Sequence, residues 1–241
     1  VDRVAETLQI TRLLDRKVER LSGGEMQRVS IGRAIVRQPR VFLMDEPLSA
    51  LDANLRDVLR VELKKLHSEL GATFVFVTHD QVEAMSMGDK IGVLNRGRLV
   101  QVGTPSEIYA RPLNTFVARS VGTPPMNLLD GVLKGNMAVL DAGKFSLPVA
   151  SPHGGDGNRI RFGIRPEDVV LDDNGPASAR VFDIENHGVI KILTLDIDGT
   201  HLHATVSAQT QVHIDDTVRF SWKPEKVLCF DPSSGRNLGL G

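Results

Sequence analysis

The 241-residue sequence is poor in cysteine, tryptophan and tyrosine, with one of each. A single cysteine, Cys229, excludes an internal disulfide framework and a multi-cysteine zinc site. One Trp and one Tyr, Trp222 and Tyr109, leave little material for a base-stacking platform. No apolar run approaches the ~18 residues that a membrane-spanning helix needs. Neither sign of charge dominates: 29 basic and 30 acidic residues give a net charge of −1. Residues 1–120 hold 18 Lys/Arg and 15 Asp/Glu, and residues 121–241 hold 11 and 15, so the second half is acidic. That balance argues against nucleic acid as a partner. The first residues, Val1-Asp2-Arg3-Val4-Ala5-Glu6, are charged and amphipathic, unlike a signal peptide, and no initiator Met precedes them. A fragment or processed chain is the expectation. What is present, 41% hydrophobic and 24% charged residues, fits a soluble globular protein of one large or two ordinary domains.

The first half alternates helical and strand patterns. Val4, Leu8, Leu13 and Leu14 suggest an amphipathic helix across the first ~15 residues. A second helix is expected from about Gly24 to Gln38, before Pro39. Val41-Phe42-Leu43-Met44 reads as a strand buried on both faces, and Thr73–Val77 as a second one. Leu55, Leu59, Leu63, Leu66 and Leu70 mark one face of a long helix stopped at Gly71. A short helix from Gln81 and a hairpin, 91–95 and 98–102, turning at Arg96-Gly97, follow. Strand, helix, strand implies a parallel α/β sheet. Beyond a Gly- and Pro-rich stretch at 121–157 lie short β-like runs, 160–164, 179–184, 192–197, 201–206 and 218–222, expected to form a small antiparallel barrel or sandwich. The domain boundary is placed near Val121–Pro125, giving domains 1–120 and 121–241.

Three places carry chemistry. Leu21-Ser22-Gly23-Gly24-Glu25 opens the second helix, where a hydroxyl and unobstructed amides at a positive helix end suit a phosphate. The same Ser22 and Glu25 have capping-box spacing, and the two readings are compatible. Asp45-Glu46 follows the first strand, at the edge where open α/β sheets bind ligands. There Asp45 can hold Mg²⁺ with its waters kept, and Glu46 can deprotonate an attacking water; a solvated turn is the plainer alternative. His79 ends the second strand and can donate to a phosphate oxygen, or be only a polar strand end. Leu48-Ser49-Ala50-Leu51-Asp52 links the carboxylates to the long helix, with Asp52 placed as its N-cap.

Taken in order, LSGGEMQR, VFLMDEP, LSALD and FVTHD resemble the signature, Walker B, D-loop and switch-histidine motifs of the ABC-transporter ATPases. Four ordered motifs over about sixty residues are highly specific. The resemblance implies an α/β P-loop NTPase-type portion, truncated at its N-terminus, followed by an all-β, OB-like TOBE domain. It implies ATP and Mg²⁺ as cofactors. Ser22, Gly23 and Gly24, with Glu25 in the same motif, would meet the γ-phosphate of ATP held by the partner subunit. Asp45 would serve Mg²⁺ through water, Glu46 would be the catalytic base, His79 would touch the γ-phosphate, and Asp52 would tie the two nucleotide sites together. QVGTPSEIY at 101–109 and GIRPED at 163–168 are similar to segments of the maltose and glycerol-3-phosphate importer group. That likeness implies a homodimer, transmembrane permease subunits, an external solute-binding protein acting indirectly, and a peripheral place on the inner membrane face.

One departure is large. No G-x-x-x-x-G-K-[ST] loop, whose amides and Lys hold the β- and γ-phosphates, occurs anywhere. The expectation is that roughly a hundred residues bearing it precede Val1 in the parent protein, and that this chain alone hydrolyses no ATP. A non-catalytic dimerisation or regulatory module derived from such a subunit is the alternative.

Overall fold

The computed structural model describes every residue except Lys144 and Gly241. By packing, the chain divides into two compact units, Val1–Asp89 and Lys90–Gly241.

The first unit is α/β. Helix α1 (Asp2–Thr7) is short, because Gln9 adopts a left-handed backbone (φ 54°) and a single 3₁₀ turn follows at Thr11–Leu13. The expected ~15-residue helix is therefore broken after two turns. Helix α2 (Gly23–Val36) leads to strand β1 (Val41–Asp45). Helix α3 (Ala53–Leu70) ends at Gly71 in the left-handed conformation that a glycine C-cap favours, φ 60°. Strand β2 (Thr73–Val77) and helix α4 (Gln81–Met87) follow. Strands β1 and β2 pair in parallel, Val41 beside Thr73 through Asp45 beside Val77, as the strand–helix–strand pattern requires. Phe42, Met44, Leu59, Leu63, Ile31, Ile35 and Leu8 share one core. The opposite face of the two strands is bare. Leu43 is 80% exposed, and Val41, Val75 and Val77 are also open. Each strand thus buries one face only, not both as its continuous apolar run suggests. No described element covers the other side.

The second unit begins with the hairpin of β3 (Ile91–Asn95) and β4 (Arg98–Gly103). It turns at Arg96 and Gly97, both with positive φ, as a tight two-residue turn demands. Helices α5 (Pro105–Ala110) and α6 (Thr115–Ser120) come next. Ten strands complete the unit: β5 (Asn127–Lys134), β6 (Met137–Leu140), β7 (Ser146–Pro148), β8 (Arg159–Ile164), β9 (Val169–Leu171), β10 (Ala177–Asn186), β11 (Ile190–Ile197), β12 (Thr200–Ser207), β13 (Thr217–Trp222) and β14 (Leu228–Phe230). They form two antiparallel sheets in the orders β14-β8-β5-β6-β7 and β12-β11-β10-β13-β9.

Leu129, Leu133, Phe162 and Ile164 from one sheet and Val181, Leu193, Leu195 and Phe220 from the other bury into a single core. Two polar ties cross it. Asn127 on β5 exchanges side-chain hydrogen bonds with both backbone groups of His203 on β12 (2.7 and 2.8 Å). The Trp222 Nε1–H on β13 donates to the carbonyl of Pro148 on β7 at 2.7 Å. Each satisfies groups that burial would otherwise strand.

The packing division at Asp89 does not coincide with the sequence division at Val121–Pro125. Residues 105–121 are stitched to the β-sheets. Ala118 packs with Met126 and Phe230. The buried Arg165 donates to the carbonyls of Tyr109, Ala118 and Val121. Asn237 Nδ2 donates to the Pro112 carbonyl, and the Thr115 amide to that of Gly235.

Candidate nucleotide-handling site

Parallel pairing of β1 and β2 brings the residues after their C-terminal ends side by side. The Glu46 amide donates to the Val77 carbonyl (2.8 Å), which extends the ladder one step beyond Asp45. Glu46 then turns the chain with a left-handed backbone, φ 44°, uncommon for a residue with a Cβ. Its carboxylate Oε1 lies 3.0 Å from His79 Nδ1. An ionised carboxylate only accepts, so Nδ1 carries the proton in this contact and Nε2 is turned away from Glu46. Both side chains are open to solvent, at 47% for Glu46 and 74% for His79.

The His79 loop is held from behind. Thr78 Oγ1 donates to Glu83 (2.7 Å) and accepts from the Asp80 amide (3.0 Å). Asp80 caps α4 through the amides of Val82 and Glu83. Arg56 joins this loop to the segment after Glu46, with Nη2 on the Leu51 carbonyl at 3.1 Å and Nη1 3.5 Å from the Asp80 carboxylate.

At the start of α2 the capping box is formed in full. Ser22 Oγ accepts from the Glu25 amide at 3.3 Å, and the Ser22 amide donates to the Glu25 carboxylate at 3.0 Å. That second bond, ahead of the nearby Arg16 and Arg12, holds the Glu25 carboxyl below its usual range. The Glu25 carboxylate is therefore committed to the cap rather than turned outward. The box leaves the amides of Gly23 and Gly24 for an outside acceptor. A side chain at Gly23 would meet nothing within 4 Å, so an anion has an open approach. Gly24 lies against the Ala50 carbonyl and Leu51, where a Cβ would sit at 3.2 and 3.1 Å, so the helix start abuts the loop after Glu46. Asp52 ends that loop and caps α3 by accepting from the Leu55 amide at 3.0 Å.

Asp45 closes β1 with its side chain exposed. Among the described residues no group of three or more His, Cys, Asp or Glu is arranged to hold a metal ion. One carboxylate at a strand end, beside a second, suits Mg²⁺, which keeps most of its waters and asks for only one or two protein oxygens. Open helix amides suit a phosphate. The donor set thus fits a magnesium–nucleotide. The structure joins Glu46 to His79, and it joins α2 to the Glu46 loop through a residue of LSGGEMQR to which the sequence attached no role. Gln27 Nε2 donates to the Glu46 carbonyl at 2.7 Å, and its Oε1 accepts from the Ala50 amide at 3.2 Å.

Comparison with known families and proteins places the chain. The ABC transporter family matches residues 1–49, the MalK OB fold domain residues 122–169, and the TOBE domain residues 162–230. The sn-glycerol-3-phosphate import ATP-binding protein UgpC of Ruegeria sp. (strain TM1040) is 45% identical over 240 residues, covering 99% of this chain and 67% of that protein. The trehalose/maltose import ATP-binding protein MalK of Thermococcus litoralis is 45% identical over 253 residues, covering 99% and 68%. The xylose/arabinose import ATP-binding protein XacK of Haloferax volcanii is also 45% identical, covering 99% and 64%. The chain spans about two thirds of the length of these relatives. A match along nearly all of its length, with an ATPase segment followed by OB and TOBE domains, makes the chain a member of the ABC importer ATP-binding family to which UgpC and MalK belong.

Proposed function

We propose that this chain serves in an ATP-binding subunit that couples ATP hydrolysis to the uptake of a carbohydrate or a glycerol-3-phosphate-like solute. The observation that carries the proposal is the Glu46–His79 pair, 3.0 Å apart at the ends of two parallel strands. Bound Mg·ATP supplies the phosphoanhydride to be split and the charge neutralisation that splitting needs. Glu46 takes a proton from the attacking water. The His79 Nδ1–H orients that carboxylate, and the ring's other nitrogen would be the group to meet the γ-phosphate. Asp45 would hold Mg²⁺ through its water shell. Ser22, Gly23 and Gly24 of one copy would meet the γ-phosphate bound by a second copy, and Asp52 would help tie the two sites together. Residues 1–120 belong to the ATPase domain and 121–241 to the linker and OB-like domain, although packing groups 90–120 with the latter.

In this reading the subunit is a homodimer seated on transmembrane permease subunits at the inner membrane face, receiving solute from an external binding protein. The present 241 residues alone do not turn over ATP, since they contain no Gly-rich phosphate loop with its Lys.

In the complete subunit, Glu46→Gln should leave nucleotide binding intact and lower turnover by at least ~10²-fold, because only the base is lost. Turnover equal to wild type would remove Glu46 from that role.

A further inference from the structure

We propose that Gln27 is a positioning residue. It ties the Ser22-Gly23-Gly24 end of α2 to the backbone of Glu46, so that engagement of a phosphate by α2 in one nucleotide site is transmitted to the base serving the other. The catalytic half of this inference rests on the reading of Glu46 as base.

The geometry is specific. Gln27 lies one turn into α2, half-buried, and its carboxamide spans two backbone groups of opposite kind. The partner at 2.7 Å is a carbonyl and the partner at 3.2 Å is an amide N–H, so only one orientation of the carboxamide satisfies both. The carbonyl belongs to Glu46, whose left-handed backbone needs outside support to persist. That carbonyl also accepts from the Ser49 amide (3.3 Å) and the Ser49 hydroxyl (3.0 Å), so the turn closes on the acceptor that Gln27 holds. The amide belongs to Ala50, whose carbonyl abuts Gly24. Helix start, turn and carboxylate therefore form one contiguous unit. A shift of α2 along its axis moves the Glu46 carbonyl and, through it, the side chain that meets His79. Misplacing a reacting group by ~1 Å can cost ~10²-fold in rate, so a single carboxamide is enough to matter.

Two variants divide the contact. Gln27→Met keeps the length of the side chain and removes both bonds. Gln27→Glu keeps the acceptor for Ala50 and removes the donor to Glu46. The first measurement is amide hydrogen exchange on the 241-residue chain without nucleotide. Ala50 exchange should accelerate at least ~10-fold in Gln27→Met and stay near wild type in Gln27→Glu. The second is steady-state kinetics of the complete subunit, with turnover expressed per bound nucleotide. Both variants should lower kcat by about ten- to a hundredfold with KM for Mg·ATP changed less than ~2-fold, since both ends of the Gln27 carboxamide are spent on backbone groups of its own chain. In a Glu46→Gln background, Gln27→Met should have no further effect on the residual rate, because the group being positioned is already gone. Wild-type kcat in Gln27→Met, with Glu46→Gln inactive, overturns the positioning role and spares the reading of Glu46. Wild-type turnover in Glu46→Gln overturns both. An additional loss on top of Glu46→Gln, or unchanged Ala50 exchange in Gln27→Met, shows that Gln27 only supports the fold.

Discussion

Replacing Arg165 by Met keeps the aliphatic stem and deletes a guanidinium that holds residues 109–121 to the β-sheets. The residue is 5% exposed. Its Nη1 donates to the carbonyls of Ala118 (3.1 Å) and Val121, and its Nη2 to that of Tyr109 (2.8 Å). The guanidinium carbon sits 4.0 Å from the centre of the Tyr109 ring. Hydrogen bonds to a charged donor contribute ~1.5–3 kcal/mol each, so three are worth ~4–9 kcal/mol gross. Against this stands the cost of keeping the charge out of water, several kcal/mol, which also pushes the Arg165 pKa down. A net loss of ~3 kcal/mol is expected. For a unit of this size that is a fall in melting temperature of ~6–12 °C, read by scanning calorimetry. Arg165→Lys should fall between, since one ammonium cannot reach all three carbonyls. A shift below ~2 °C for Arg165→Met would refute the claim that this cation fastens the segment.

Tyr109 is the only tyrosine, so phenolate absorbance reports on it alone. Burial first, and its hydrogen bond to Glu167 second, push its pKa up to about 12 from 10.0. Because the folded pKa lies above the unfolded one, this contribution to stability is complete below pH ~10 and is lost as pH rises toward ~12. Tyr109→Phe should flatten that part of the pH–stability curve, and phenolate appearing near the ordinary value in the folded protein would contradict it. The open apolar face of β1 and β2 should make the chain self-associate. Leu43→Ser should lower the weight-average mass seen by light scattering at high concentration, and an unchanged, monodisperse monomer in both forms would show that the face is not adhesive.

Much of the first unit was legible, because apolar runs, helical leucine spacing and the Gly71 stop are local signals. The β3–β4 turn and the β8 and β10 to β13 runs were legible for the same reason. Where the reading failed, the cause was non-local. Strands β1 and β2 each carry four consecutive apolar residues, Val41–Met44 and Phe74–Val77, and sequence cannot say that Val41, Leu43, Val75 and Val77 face open solvent. Strands β5, β6 and β7 lay hidden in a stretch rich in Gly and Pro. Gly131 belongs to its strand because a Cβ there would strike the Val139 carbonyl at 2.4 Å. Pro148 belongs to its strand because β7 is an edge. The helix break at Gln9 carries no Gly or Pro to announce it. In the site, Ser22, Glu46, His79 and Asp52 stood out by motif. Gln27 lies inside LSGGEMQR but had no role attached to it, and Arg56 lies outside every motif. Gln27 meets partners 19 and 23 residues away, and Arg56 reaches the Asp80 loop 24 residues on.

The buried Trp222 has a bearing on how the molecule is watched. It is the sole tryptophan, it lies between the two β-sheets with its indole N–H on Pro148, and Tyr109 is in the same unit. Intrinsic fluorescence is therefore blind to residues 1–89, which hold Ser22, Asp45, Glu46 and His79. A fluorescence melt would follow only the β-unit, while helical circular dichroism is dominated by α2 and α3. If the two traces separate, the ATPase portion opens apart from its β-domain, and a single stability value for the chain loses its meaning.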